Sequence, residues 1–202
     1  MELTPEIADL TAYLAADDVI DHVHPQVRET AARLRAEAPK PYDYAKAAYT
    51  YVRDAIPHSF DSGDDRVAWR ASDVLGTRNG ICYAKSHALA ALLRAEGIPA
   101  GLCYQRLTDD GGAPAVHGMV ALLLPGADGA ARWTRQDARG NKPGVEARFS
   151  LDGERLAWQV RPGLGEVDYP LVYAAPPAPV LTVLRTAADR SELATLLPGS
   201  LG

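Results

Sequence analysis

The chain has 202 residues, enough for one well-buried domain, and 47% of them are hydrophobic, which excludes a disordered chain. Lys and Arg total 21 against 26 Asp and Glu, a formal net charge of -5, and no basic stripe offers a nucleic acid a binding surface. The acidic start "MELTPEIADLTAYL" is no secretion signal, and the longest apolar run, "MVALLLPG", is too short to span a bilayer.

These exclusions point to a soluble, cytoplasmic protein without a membrane partner. Cys82 and Cys103, in a reducing compartment, read as free thiols.

Residues 1–60 read as helical. Thr4, Pro5 and Glu6 fit an N-cap, a first-turn proline and an acidic first turn. Val27, Ala31, Leu34 and Ala38 recur at helical spacing, and Pro39-Lys40-Pro41 breaks the pattern. Ala45, Ala48, Val52 and Ile56 line a second helix that ends at Pro57. Residues 58–80 read as a loop, with one short helical turn at "ASDVL".

"CYAKSHALAALLRAEG" is the strongest helix signal. Ala88, Leu89, Leu92 and Leu93 form its buried stripe, and Gly97 suits its C-terminal cap. After Pro99 the period changes to two. "AGLCYQRL", "VHGMVALLL", "ARWTRQDA", "EARFS" and "RLAWQV" read as strands, with turns at Asp110-Gly111, Asp128-Gly129 and Asp152-Gly153. "VLTVLRTA" and "DRSELATLL" read as short helices, the second with a capping box at Asp189 and Glu192. Helices, then an antiparallel sheet, then short helices make an α+β fold.

Cys82 opens the strongest helix, right after Asn79-Gly80-Ile81. Unpaired N–H groups and the helix dipole favour an anion there, which lowers a thiol's pKa, and the same N–H groups can hold an oxyanion. A small buried core residue is the competing reading. Gly80 leaves room for a substrate backbone near the thiol.

A nucleophile needs a base. His87 lies five residues along the same helix, about 140° from Cys82 at about 100° per residue, and is a poor partner. His58 reads as a surface residue. His22 and His24 form an H-x-H pair near Asp17, Asp18 and Asp21. No spacing specifies a third ligand, so a solvated loop is the better reading and no metal is assigned. His117 enters an apolar strand, with Gly118 leaving room beside it. Asp137, at the end of the next strand, could reach the imidazole Nδ1–H. A strand-end histidine and a turn aspartate remain the alternatives.

Taken together, Gly80-Ile81-Cys82, "LLRAEGIPAG", Val116-His117 and Trp133 with Asp137 resemble the transglutaminase-like superfamily, relatives of papain-like cysteine proteases. The resemblance is to bacterial-type single-domain members and covers roughly residues 40–140. It implies one domain over 1–202, with a helical extension over 1–39, and a sheet extension and C-terminal helices over 141–202. It also implies a catalytic triad of Cys82, His117 and Asp137, without cofactor or metal. Gly118-Met119 depart from the family's usual aromatic after the histidine, which leaves the acceptor open.

Papain-like relatives complete the oxyanion hole with an upstream Gln, and some transglutaminases with a Trp or Tyr. No motif fixes that donor here. Trp69 and Gln105 are the candidates, a surface strand residue being the alternative for Gln105. Cys103 reads as a core residue. The implied reaction is acyl transfer on peptide or isopeptide amides. Hydrolysis is slightly favoured over transamidation, in a chain without calcium-loop motifs. An inactive peptide-binding module is the alternative, and a metalloprotein using His22 and His24 is the weakest reading.

Overall fold

The structure, a computed structural model, describes residues 1–108 and 112–201. Thr4 and Pro5 do not open a helix. They form a two-residue strand, β1 (Thr4–Pro5), paired in parallel with Leu171–Val172. A 3-10 turn follows at Leu10–Tyr13, capped by Asp9, whose Oδ1 accepts from the Thr11 N–H.

Helix α1 (Pro25–Glu37) starts at the predicted proline, with His24 as its N-cap. His24 Nδ1 accepts from the Gln26 N–H at 3.2 Å, and His22 Nε2 lies 3.0 Å from the Leu14 carbonyl. The H-x-H pair is thus taken up by backbone. Among the described residues no cluster of His, Cys, Asp or Glu side chains is placed to hold a metal.

Helix α2 (Pro41–Ala55) buries Tyr44, Ala45, Ala48, Tyr49 and Val52. The stretch read as loop carries a one-turn helix, α3 (Ser59–Ser62), and a longer one, α4 (Ala71–Thr77).

Helix α5 (Cys82–Ala95) is buried from Tyr83 through Arg94, on every side rather than along a stripe. Helices α1, α2 and α4 surround it, and the central sheet closes the remaining side. Ala84, Ala88, Ala90 and Ala91 are small enough to let four neighbours approach. At its C-terminal end Arg94 donates to the carbonyls of Ala15, Ala100 and Ala174, and Gly97 turns the chain at φ +73°.

The sheet contains β2 (Ala100–Thr108), β3 (Pro114–Pro125), β4 (Ala131–Gln136) and the short β5 (Val167–Asp168), in the antiparallel order β4-β3-β2-β5. Strand β6 (Leu171–Val172) holds β1. Leu102, Tyr104, Val116, Val120 and Leu122 face the core around α5. Cys103, Met119 and Ala121 face a second cluster with Tyr13, Leu156 and Val172.

"EARFS" and "RLAWQV" are not strands. Their apolar residues Ala147 and Leu156 are buried from an irregular segment, although Arg148 N–H still reaches the Arg155 carbonyl. Asp128-Gly129 forms the predicted turn, with Gly129 at φ +79°, and Asp152-Gly153 lies in a bend. The Asp110-Gly111 turn falls outside the described residues.

Helices α6 (Ala178–Thr186) and α7 (Arg190–Leu196) follow. Asp189 caps α7 through the Glu192 N–H at 2.8 Å, and Glu192 reaches back to the Ala188 N–H. No helix among the described residues is long and apolar enough to cross a membrane.

Candidate active site

Cys82 is the first residue of α5, and Ile81 before it supplies no capping side chain. The thiol is half-buried, and Cys103 is a separate free thiol buried on the other face of the sheet. His117 lies on β3, and Asp137 is the first residue after β4. Pairing of β3 with β4 brings the two together: His117 Nε2 is 2.9 Å from Asp137 Oδ2. The sequence pointed to Nδ1. The structure uses Nε2 and leaves Nδ1 free of Asp137, and Cys82 lies near enough to the ring to favour its charged form.

Asp137 is fully buried yet well supplied with donors. Its Oδ1 accepts from the Arg139 N–H at 3.1 Å, and its Oδ2 also accepts from the Ala157 N–H at 3.0 Å. Burial opposes its charge, but His117 and these N–H groups hold its carboxyl below the usual carboxylate range. For His117 burial works against the imidazolium. The charges of Asp137 and Cys82 outweigh that, and the ring's pKa is raised to about 10. The arrangement suits a proton held between thiol and imidazole while the carboxylate fixes the ring.

Trp158 stands edge-on to His117, with ring centroids 5.0 Å apart. The Arg139 guanidinium sits 5.4 Å from the Trp158 ring centroid. Asp61 pairs with both Arg139 and Lys142. Burial raises the Asp61 pKa, but the two cations prevail and bring it to about 2. These groups rim a cleft of about 670 Å³ that contains Cys82 and His117 and has Phe60, Leu107 and Leu197 among its apolar walls. The segment between β4 and β5 therefore covers His117, while β5 extends the sheet beside β2.

Two glycines have different jobs from those the sequence implied. A Cβ on Gly118 would lie 2.7 Å from Tyr83 Cδ1, so the missing side chain admits Tyr83, not substrate. A Cβ on Gly80 would meet Ala84 Cβ at 3.0 Å, so Gly80 lets the loop cross the first turn of α5.

His58 is not a surface residue. It is 7% exposed, and its backbone bridges Gly80. Its Nδ1 accepts from the Phe60 N–H at 3.3 Å, capping α3. Its Nε2 lies 3.1 Å from the backbone nitrogen of Cys82. Burial, then the nearby Arg139, lowers its pKa to about 3. The available sequence signal was local: His58 before "SFDSG" fits an N-cap ahead of one turn closed by Gly63.

Trp69 and Gln105 are not among the residues that line the cleft. The Arg70 and Arg185 guanidiniums lie 4.3 and 4.5 Å from the Trp69 ring centroid, and the Trp69 carbonyl bonds His87 Nδ1 at 2.8 Å. Gln105 sits opposite His117 on β2, but its Nε2 donates to Asp168 at 2.8 Å within a cluster that holds Arg135 and Glu154. His87 is fully buried, consistent with its unfavourable position on the helix.

A residue the sequence did not single out, Lys85, is buried one turn after Cys82. Its Nζ donates to the Ile56 carbonyl and, at 3.3 Å, to the Arg53 carbonyl. Burial, then Arg139, lowers its pKa to about 7. It ties α5 to the C-terminal end of α2, where the helix dipole favours a cation.

Residues 28–138, more than half of the chain, match the transglutaminase-like superfamily. The chain belongs to this superfamily. The match begins in α1, earlier than the sequence reading placed the core, and ends one residue beyond Asp137. A solved structure of a candidate cysteine protease from Cytophaga hutchinsonii superposes with a TM-score of 0.52 at 19% identity, covering 68% of this chain and 45% of that one. That similarity bears on the fold, which is the mixed α/β arrangement expected of a transglutaminase-like domain. Two peptidyl-tRNA hydrolases from strains of Acidithiobacillus ferrooxidans are 32% identical over 124 residues, or 52% of this chain. The aligned region spans 65% of their length.

Proposed function

We propose that this protein transfers acyl groups from peptide or isopeptide amides through Cys82, with His117 as base and Asp137 as its orienting group. The observation that carries this reading is the buried His117–Asp137 pair, with His117 and Cys82 lining one cleft. His117 holds the thiol proton. The sulfur attacks the amide carbon, and the carbonyl electrons move to oxygen. His117 gives its proton to the departing amine, leaving a thioester. Water then yields an acid, and an amine would yield a new amide.

Hydrolysis is the favoured outcome, and a cytoplasmic setting suits free thiols. The hydrolase name of the Acidithiobacillus proteins agrees with hydrolysis in general terms. A net charge of -5 does not favour tRNA as the substrate.

The test is a panel of amide peptides, with release of acid and incorporation of a labelled amine measured side by side. Cys82→Ala, His117→Ala and Asp137→Ala should each remove most turnover while circular dichroism stays unchanged. Turnover that survives in Cys82→Ala would sink the reading. A wild-type protein that binds peptides without forming a thioester would instead be a binding module.

A further inference from the structure

We propose that His58 is a catalytic residue whose Nε2–H and the Cys82 backbone N–H together hold the oxyanion. This rests on the acyl-transfer reading above and supplies the donor that neither Trp69 nor Gln105 provides.

The argument starts from counting protons. Two backbone N–H groups point at the His58 ring, from Phe60 at Nδ1 and from Cys82 at Nε2. A neutral imidazole has one acceptor nitrogen, and the other carries hydrogen. One pair must therefore be donor against donor. The imidazolium would make both pairs so, and burial disfavours it in any case.

The Phe60 pair is the N-cap of α3, and placing the ring hydrogen there would uncap that helix. His58, Phe60 and Cys82 all line the cleft, but only the Cys82 pair includes the backbone N–H of the thiol residue itself. The proton therefore belongs on Nε2. Two N–H donors with nitrogens 3.1 Å apart can both reach one oxygen at ordinary hydrogen-bond length. What is mismatched at rest becomes matched when a negative oxygen arrives.

In the reaction the sulfur lone pair forms the S–C bond, and the carbonyl π pair moves to the oxygen. Nε2–H and the Cys82 N–H hold that oxygen. Collapse restores the C=O bond and expels the amine with the proton from His117. His58 neither gains nor loses a proton.

The test separates reactions that build an oxyanion from those that do not. Acylation of Cys82 by p-nitrophenyl acetate passes through a tetrahedral oxyanion; alkylation by iodoacetamide does not. His58→Asn keeps an acceptor for Phe60 but is too short to donate at Cys82. It should slow acylation by about 10²–10³-fold and leave alkylation nearly unchanged. His58→Gln, whose amide reaches as far as Nε2, should recover part of the loss. Nitrogen-15 NMR of the wild-type histidine should find the hydrogen on Nε2.

Equal acylation rates in wild type and His58→Asn would overturn the proposal, as would a bare Nε2. A parallel loss of acylation and alkylation would also overturn it, by showing that His58 acts on the thiol or the fold. A wild-type Cys82 that alkylates but never acylates would instead overturn the acyl-transfer reading itself.

Discussion

The Tyr83 hydroxyl donates to the Val116 carbonyl at 2.6 Å. One partner follows Cys82 and the other precedes His117, so this bond sets helix against strand one residue from each of them. Gly118 admits the same tyrosine ring from the far side of His117.

Both contacts can be tested. Tyr83→Phe leaves a buried carbonyl unpaired and should cost about 1–3 kcal/mol of stability, measured by urea unfolding. Gly118→Ala forces a Cβ against the ring and should cost about 1–3 kcal/mol by overpacking. In both variants turnover should fall further than stability predicts. Wild-type turnover in Gly118→Ala would show that the register of helix and strand is not set here.

The two histidines beside Cys82 should titrate in opposite directions. Nitrogen-15 NMR should find His117 protonated through neutral pH, with a midpoint near 10, and His58 neutral until pH approaches 3. The signs carry over to stability. The raised pKa of His117 contributes stability fully below about 6.5, lost as pH rises towards 10. The depressed pKa of His58 costs stability as pH falls from 6.5 towards 3. The advantage of wild type over His117→Asn should therefore shrink between pH 6.5 and 10. A His117 midpoint near 6.5 would contradict the coupling to Asp137.

Lys85→Met should destabilise the fold by about 1–3 kcal/mol, because it strands the Arg53 and Ile56 carbonyls. The depressed pKa of Lys85 gives the pH signature. Wild type should gain on the variant as pH rises from 7 to 10.5, where the unfolded chain alone holds the extra proton. A difference that does not vary with pH would mean the ammonium keeps its charge without penalty.

Trp158→Ala should expose His117 and weaken its coupling to Asp137 by admitting water. The His117 midpoint should move down towards 6.5 and turnover should fall, while Cys82 remains accessible to iodoacetamide. An unmoved midpoint would show that Trp158 shields substrate and not the base.

The helix from Cys82, its passage into β2, and strands β3 and β4 were legible because each is a long run with one dominant period. Gly97 marked the helix end for a backbone reason that needs no partner. What escaped depends on residues far apart in the chain. Strand β1 exists only because Leu171–Val172 lies beside it. His58 is buried where its backbone bridges Gly80, in the loop before α5. "EARFS" and "RLAWQV" alternate like strands, yet their apolar residues settle into the core from an irregular path. Of the five residues singled out, Cys82, His117 and Asp137 come together, whereas Trp69 and Gln105 bond elsewhere. Their chemical types were visible, but their neighbours were not.

Helix α5, enclosed on every side, has little freedom to shift without disturbing most of the core. New substrate preferences would then arise chiefly where the backbone obeys no ladder or helix, in the stretch carrying Trp158, Gln159 and Arg161 along the cleft. A laboratory evolution campaign that randomised those positions could reshape what the cleft accepts while Cys82, His117 and Asp137 stay in place.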